Sequence, residues 1–168
     1  MLCGGWAFGL ALFYLTNLLN FFYLQYSMPT PREEFVEYAE AWYGKWYKWG
    51  GDDPSGFDCS GLAIECLKAF DKFPRGEDTT ANGLLVRFAH LVVSDPKPGC
   101  LVFWVNPDGY AFHVEICKNS WQSIGASGGG SNTRTESDAI RDNAFIKLRP
   151  FKSRIGTKIF CDPFDETA

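Results

Sequence analysis

Cys59 is the residue in this chain whose position most favours covalent chemistry. A glycine-rich loop over residues 50–56 delivers it to the first turn of a segment that is predicted to form an amphipathic helix. Unpaired backbone N–H groups and the helix dipole stabilise an anion at such a place, so they favour the thiolate over the thiol. Because the thiolate is the attacking species, we predict that Cys59 is a nucleophile. Cys66, further along the same helical face, is predicted to lie in the core.

A cysteine that attacks an amide also needs a base, which holds the thiolate and then protonates the departing amine. The chain has two histidines, His90 and His113. His90 is predicted to close a helix, whereas His113 lies in the middle of a predicted strand. A strand histidine by itself is more often structural, but a helix-start cysteine upstream reverses that preference. We therefore predict that His113 pairs with Cys59.

Composition excludes several other kinds of site. The six cysteines include no C-x-x-C pair, which argues against a structural zinc site, and we predict neither a metal nor a cofactor. The 168 residues are 46% hydrophobic, enough for one domain with its own core and without a disulfide scaffold. A formal net charge of −4 argues against nucleic acid as a partner.

The elements that must position these residues divide into helices first and strands second. Helices are predicted from the Thr30-Pro31 start to about Gly44, from Asp58-Cys59 to before Pro74, and from Thr79 or Thr80 to about His90. Strands are then predicted over Leu101–Val105, Ala111–Cys117 and Trp121–Ala126, with weaker candidates over Phe145–Leu148 and Lys158–Cys161. This order predicts an α+β domain with an antiparallel sheet.

The N-terminal segment allows two interpretations. Residues 1–31 carry no charged side chain, and residues 6–26 are almost continuously apolar over about the length of a membrane-spanning helix. One interpretation is therefore a transmembrane anchor and membrane association. The other is a start of translation at Met28. Under either interpretation, residues 1–28 form an apolar segment that is separate from a catalytic domain over residues 29–168.

Three blocks of sequence resemble the NlpC-type cell-wall peptidases, and the resemblance covers about residues 32–131. The longest block runs from Tyr47 to Gly51 and from Pro54 to Leu62, with the nucleophile motif Ser-Gly-Phe-Asp-Cys-Ser-Gly-Leu. Residues 98–104 and 113–116 resemble the later blocks of that family, in the same order.

The resemblance implies a papain-like fold and hydrolysis of stem-peptide amide bonds in bacterial peptidoglycan, at the cell envelope. It places the nucleophile on Cys59 and the base on His113. It also places Tyr47 where a tyrosine lines the site, and Asp58 and Ser60 where residues bind substrate. The alternatives are that Tyr47 packs in the core, that Asp58 only caps the helix and that Ser60 is solvated. A phage lysin or a tail-associated lytic enzyme is a biological role that fits this activity.

Two positions depart from the family pattern. Cys100 stands where the family has an aspartate after Pro-Gly, so the contact of that carboxylate must be replaced. A polar residue that orients the imidazole is expected about twelve positions after the histidine. If the strands pair about a turn at Asn119, Gly125 lies opposite His113 there and has no side chain to offer. The remaining candidates for this third catalytic residue are Ser127, Glu115 and Ser123, which share a face with His113.

Two other functions remain open at this point. The same Cys–His pair would also serve an amidase or acyltransferase that acts on another amide or on a lipid ester. Gly125 in place of an orienting side chain favours instead a catalytically inactive module that binds the cell wall. The glycine run 128–130 is expected to form either a flexible rim over the cleft or a plain surface loop.

Overall fold

The computed structural model describes residues 28–165. In order along the chain, its helices and strands are α1 (Pro31–Glu40), β1 (Asp52–Asp53), β2 (Gly56–Phe57), α2 (Cys59–Ala69), α3 (Ala81–Arg87), β3 (Val92–Val93), β4 (Leu101–Val105), β5 (Ala111–Cys117), β6 (Gln122–Ser127), α4 (Glu136–Asp142), β7 (Phe145–Pro150) and β8 (Thr157–Cys161). Short 3₁₀ turns lie at Ala89–Leu91 and Phe151–Ser153. Helices precede the main strands, so the predicted α+β class is confirmed.

The predicted helix starts are confirmed at Pro31 and Cys59. α1 buries Phe35, Val36 and Ala39, which fall on one face at helical spacing. It ends at Glu40, and the turn after it includes Gly44 in a left-handed conformation with φ of 80°. Only glycine adopts that conformation readily, so the chain turns there.

The main sheet has six strands in the order β3-β8-β4-β5-β6-β7. Its neighbours are antiparallel, which confirms the predicted antiparallel sheet. β4 to β7 lie side by side in chain order. β8 returns to pair with β4, and this brings the chain after Phe151–Ser153 back across the sheet next to β4 and β5.

The two faces of the sheet have different coverings. One face packs against α1, α2 and α3 and forms the larger core, to which Leu67, Phe103, Ile116 and Ile124 belong. A smaller cluster is formed by Cys100, Val102, Trp104, Cys117 and Phe151. Cys66, Cys100, Cys117 and Cys161 are all buried, which confirms the prediction made for Cys66.

Local chemistry explains two details of the fold. The α4 helix was not predicted from the sequence, yet Thr135 and Asp138 form a reciprocal capping box at its start. Cys100, in the position of the family's aspartate, accepts a hydrogen bond from the Lys97 backbone N–H at 3.3 Å through its sulfur. The thiol thus helps to close the turn that precedes β4.

The proposed membrane anchor at residues 6–26 lies outside the described residues. Within residues 28–165, none of the helices combines the length and the apolar character that crossing a membrane requires.

Candidate functional site

Asp58 fixes the turn that presents Cys59. Its Oδ1 atom accepts hydrogen bonds from the Gly61 backbone N–H at 2.8 Å and from the Ser60 hydroxyl at 2.9 Å. Its Oδ2 atom accepts the Gly50 backbone N–H at 3.0 Å, which ties the preceding loop to the helix. Asp58 is therefore the N-cap of α2, and Cys59 occupies the first helical position, where the dipole favours an anion.

Gly61 allows that loop to lie directly against the helix. A Cβ atom at residue 61 would come within 2.0 Å of the Gly51 carbonyl oxygen. Any side chain there would push the loop away from the first turn of α2. The glycines of the motif therefore hold Cys59 at a fixed height above the sheet.

His113 lies on β5 opposite Trp104 of β4, and the two rings are 5.5 Å apart between centroids. The residue is 6% exposed. β5 pairs with β6 through Ile116–Ile124 and Cys117–Ser123, so the ends of the two strands that carry His113 and Ser127 are free to separate. Cys59 lies close enough to His113 to influence the pKa of its imidazole.

Glu115, two residues further along β5, is the hydrogen-bond partner of the His113 imidazole. The His113 Nε2 atom lies 2.8 Å from Glu115 Oε1. The second oxygen, Oε2, accepts a hydrogen bond from the Ser123 hydroxyl at 2.5 Å. Both Glu115 and Ser123 are buried, at 2% and 0% exposure, so the carboxylate is held from two sides without access to solvent.

The expected pairing of Gly125 with His113 is wrong. The register of β5 and β6 is shifted by two residues from a hairpin centred on Asn119, so Gly125 faces Glu115 instead. A Cβ atom at residue 125 would lie 2.3 Å from Glu115 Cγ. Gly125 therefore supplies the space that the Glu115 side chain occupies.

The other two candidates for the third residue have hydrogen-bond partners other than the imidazole. Ser123 contacts Glu115, as described above. The Ser127 hydroxyl accepts hydrogen bonds from Arg149 Nη1 at 2.7 Å and from Arg154 Nη2 at 2.8 Å. Of the three predicted candidates, Glu115 is the one that contacts His113.

The pKa values of this pair are displaced in opposite directions. Burial acts to lower the pKa of His113, but its hydrogen bonds to Cys59 and Glu115 outweigh burial and leave the pKa raised. Burial acts to raise the pKa of Glu115, but the hydrogen bond from His113 and its charge outweigh burial and leave the pKa lowered. Both shifts favour an imidazolium next to a carboxylate.

Tyr47 is 4% exposed and belongs to the larger core, which confirms the alternative that it packs in the core. Burial, followed by the charges of Cys59 and Asp58, raises the pKa of its phenol well above the ordinary value, so the hydroxyl stays protonated. Gly129 lies against the Tyr47 ring. Of the run 128–130, Gly129 thus contacts Tyr47, whereas a Cβ atom at Gly130 would meet nothing within 4 Å.

A recess of about 290 Å³ lies near the start of α2, and its wall includes the chain neighbours of Cys59 but neither Cys59 nor His113. Asp58 and Ser60 contribute to its wall, together with Trp49, Gly50, Gly51, Asp52, Gly61, Asp78, Thr79 and Thr80. The predicted substrate-binding residues therefore separate into two places: Asp58 and Ser60 at the recess, and Tyr47 under the glycine loop.

Arg154 is the residue near the site that the sequence did not indicate. Its Nη2 atom lies 3.8 Å from Glu115 Oε1, although the two residues are 39 positions apart in the sequence. No local motif marks it, because its position follows from the return of the chain between β7 and β8. Within residues 28–165, no cluster of His, Cys, Asp and Glu side chains is arranged to hold a metal ion.

A cysteine at a helix start that faces a strand histidine, on an α+β fold, is the arrangement of papain-like cysteine hydrolases. The chain belongs to the NlpC/P60 family, whose model matches residues 44–149.

Two curated relatives show the extent of the likeness. The chain is 34% identical over 103 residues to protein P54 of Enterococcus faecium, which covers 61% of this chain and 19% of the relative. It is 36% identical over 93 residues to the probable endopeptidase p60 of Listeria welshimeri, which covers 55% of this chain and 17% of the relative. The chain thus spans less than a fifth of the length of these relatives.

Solved structures agree in fold. The NlpC/p60 domain of the peptidoglycan hydrolase SagA has a TM-score of 0.53 and 28% identity, over 74% of this chain and 93% of that one. The peptidoglycan hydrolase RipB of Mycobacterium tuberculosis has a TM-score of 0.55 over 79% of this chain and 66% of that one. At 21% identity the latter likeness concerns the fold alone.

Proposed function

We infer that this chain is a cysteine endopeptidase that hydrolyses stem-peptide amide bonds of bacterial peptidoglycan. The observation that carries the proposal is the Glu115 carboxylate 2.8 Å from the His113 imidazole, in a domain that presents Cys59 at a helix start. The substrate class is supported by family membership and by the names of the relatives, which include a peptidoglycan hydrolase and a probable endopeptidase.

The proposed reaction proceeds through an acyl-enzyme. The Cys59 thiolate attacks the amide carbonyl carbon, and the backbone N–H of Cys59 donates a hydrogen bond to the developing oxyanion. The His113 imidazolium protonates the amine, which leaves as the C–N bond breaks. The neutral imidazole then takes a proton from water, and the resulting hydroxide attacks the thioester. The carboxylic acid product departs, and the thiolate and imidazolium are restored.

Glu115 is the residue that we assign to orient the imidazole. Glu115 occupies Nε2 of His113, so Nδ1 is the ring nitrogen that can contact Cys59. In this proposal one imidazole ring contacts the thiolate through one nitrogen and the carboxylate through the other. Ser123 holds the second carboxylate oxygen and thereby fixes the direction of the first. Ser127 is engaged by two arginines, which leaves it no direct part in this chain of contacts.

Substrate binding is proposed at the recess that Asp58 and Ser60 line. Its wall carries the carboxylates of Asp52, Asp58 and Asp78, which suit a cationic group of a stem peptide. Tyr47, whose phenol stays protonated, would act as a hydrogen-bond donor next to the nucleophile.

The two alternative functions lose support for different reasons. The inactive binding module was favoured by Gly125, but Glu115 occupies the space beside that glycine and contacts the imidazole. An amidase or lipid acyltransferase shares the same Cys–His pair, so the identity of the cleaved bond must distinguish it from an endopeptidase.

Digestion of purified peptidoglycan tests the proposal. We expect wild-type protein to release fragments whose masses correspond to cleavage within the stem peptide, and Cys59→Ala to release none. Cys66→Ala is the matched control, since it removes a thiol from the same helix at a buried position. Absence of released fragments with wild-type protein at every pH from about 5 to 9, where such a pair is ionised, would sink the proposal.

The lytic setting has its own test. If the protein is a phage lysin or tail-associated enzyme, its external addition to susceptible cells should lower the turbidity of the culture, and Cys59→Ala should not. Release of fragments from purified walls without any effect on cells would oppose that setting while leaving the reaction in place.

A further inference from the structure

Arg154 lies behind the candidate catalytic residues, at the end of the 3₁₀ turn Phe151–Ser153. Its guanidinium donates a hydrogen bond to Ser127 and approaches Glu115 Oε1 to 3.8 Å. The Cζ atom also lies 5.5 Å from the centroid of the Trp104 ring, the same ring that packs beside His113. Its side chain is 24% exposed, so most of this cation is removed from water.

A charge balance explains why a cation is needed there. A thiolate and an imidazolium together are neutral. The Glu115 side chain adds a negative charge at 1% exposure, and its partner Ser123 is neutral. An unbalanced charge at such a depth is costly. The guanidinium of Arg154 supplies the missing positive charge and makes the group of four neutral.

We propose that Arg154 is a positioning residue whose cation balances the buried carboxylate of Glu115, the group that holds the imidazolium of His113 toward Cys59. The proposal rests on the proposed function only in giving the Cys59–His113 pair a chemical role. It predicts that the charge of residue 154, and not only its hydrogen bond to Ser127, determines the pH range over which Cys59 is reactive.

Other charged groups also face this carboxylate, and they have different partners. The titratable groups around it are His113 and Cys117 on β5, Lys147 and Arg149 on β7, Tyr47 and Asp58 before α2, Cys59 in α2, and Arg154. Lys147 donates to the Asn143 carbonyl at 2.7 Å, and Arg149 donates to Ser127 and Ser153. Within the described part of the chain, His113 and Arg154 are the two basic side chains within 4 Å of the carboxylate.

The sign of the expected effect follows from Coulomb interactions. Without the cation of Arg154, the site accepts a negative charge less readily and keeps a positive one more readily. The pH profile has two limbs: the thiolate–imidazolium pair forms along the first and is lost along the second. Both limbs should move to higher pH. Replacement of Glu115 by glutamine removes a negative charge, so both limbs should move to lower pH. A merely structural role would not produce opposite displacements.

The experiment is the pH dependence of the alkylation of Cys59 by iodoacetamide, followed by mass spectrometry of the peptide that contains it. We expect Arg154→Met and Arg154→Gln to move the profile up by about one pH unit, and Glu115→Gln to move it down. Arg154→Lys should retain the wild-type profile. Lys147→Met is the matched control, and its shift should be less than half of that for Arg154→Met.

Several outcomes would overturn the proposal. Profiles of Arg154→Met and Arg154→Gln that coincide with wild type, or that shift no further than Lys147→Met, would do so. If thermal unfolding shows that neither neutral variant folds, Arg154→Lys decides: a folded lysine variant displaced by about one pH unit contradicts a role for the charge. Since alkylation requires no peptidoglycan, failure of the proposed function and failure of this proposal are separate results.

Discussion

Gly125 lies directly against Glu115, so closely that a Cβ atom at residue 125 would be 2.3 Å from Glu115 Cγ. The two residues belong to adjacent strands that separate at this point. The absence of a side chain at one position is therefore what allows a carboxylate from the other to reach His113. This relationship gives the first prediction.

Gly125→Ala should displace Glu115 and uncouple it from His113. We expect a loss of stability of about 1–3 kcal/mol from overpacking and a fall in kcat of about 10²-fold from the misplaced base. Gly130→Ala is the matched control, since a Cβ atom there meets nothing within 4 Å. The measurements are urea unfolding and muropeptide release. Wild-type activity in Gly125→Ala would contradict the assigned role of Glu115.

Glu115→Ala tests the choice among the three candidate residues. We expect kcat to fall by about 10²–10⁴-fold, because the imidazole loses its orienting acceptor. Ser127→Ala should cost at least about tenfold less, since Ser127 acts on arginines and not on the ring. Equal losses in the two variants would argue that the carboxylate has no special part.

The raised pKa of His113 predicts a pH dependence of stability. A group whose pKa is higher in the folded protein stabilises it fully below the unfolded pKa, and this contribution is lost as the pH rises through the folded value. From about pH 6.5 upward, the free energy of unfolding of wild type should therefore decrease relative to His113→Asn. Urea titrations of both proteins between about pH 6 and 9 measure the difference. An increase with pH would contradict the shift.

The thiols should react in a fixed order. Cys59 is partly exposed, whereas Cys66 is buried and burial raises the pKa of its thiol. Burial also raises the pKa of Cys161, to about 12. We expect iodoacetamide to modify Cys59 in the native protein and the other two only after unfolding in urea. Peptide mass spectrometry identifies each site, and early labelling of Cys66 would contradict the buried assignment.

Arg32 and Asp162 connect the first helix to the end of the last strand. The guanidinium contacts both carboxylate oxygens, at 2.9 and 3.0 Å, and Asp162 is 2% exposed. Because Arg32 keeps partial exposure, we expect Arg32→Met to cost about 2–3 kcal/mol, below the cost of breaking a fully buried pair. Arg75→Met breaks the exposed pair with Asp71 and should cost less than about 0.5 kcal/mol. Comparable losses in the two variants, by urea unfolding, would contradict this difference.

Local patterns in the sequence determine much of the domain. The capping residues and apolar spacing predict the start of α1 and α2, because these signals act within one or two turns of the chain. Alternating β-rich runs predict β4, β5 and β6 to within a residue. The placement of Cys59 at a helix start also follows from local sequence, since Asp58 and the glycines around it are adjacent in the chain. The helix α4 was missed, although its capping box is a local signal.

Only the tertiary structure decides what surrounds the imidazole. The register between β5 and β6 determines whether Gly125 faces His113 or Glu115, and a shift of two residues leaves the alternation of faces unchanged. The sequence pattern cannot distinguish those registers, because the same side chains face inward in both. Arg154 reaches Glu115 because the chain returns across the sheet between two strands. The two residues are too far apart in the sequence for helix or strand periodicity to relate them. The sequence alone therefore determines the placement of the proposed nucleophile at a helix start, and the packing of distant strands determines how the imidazole of His113 is held.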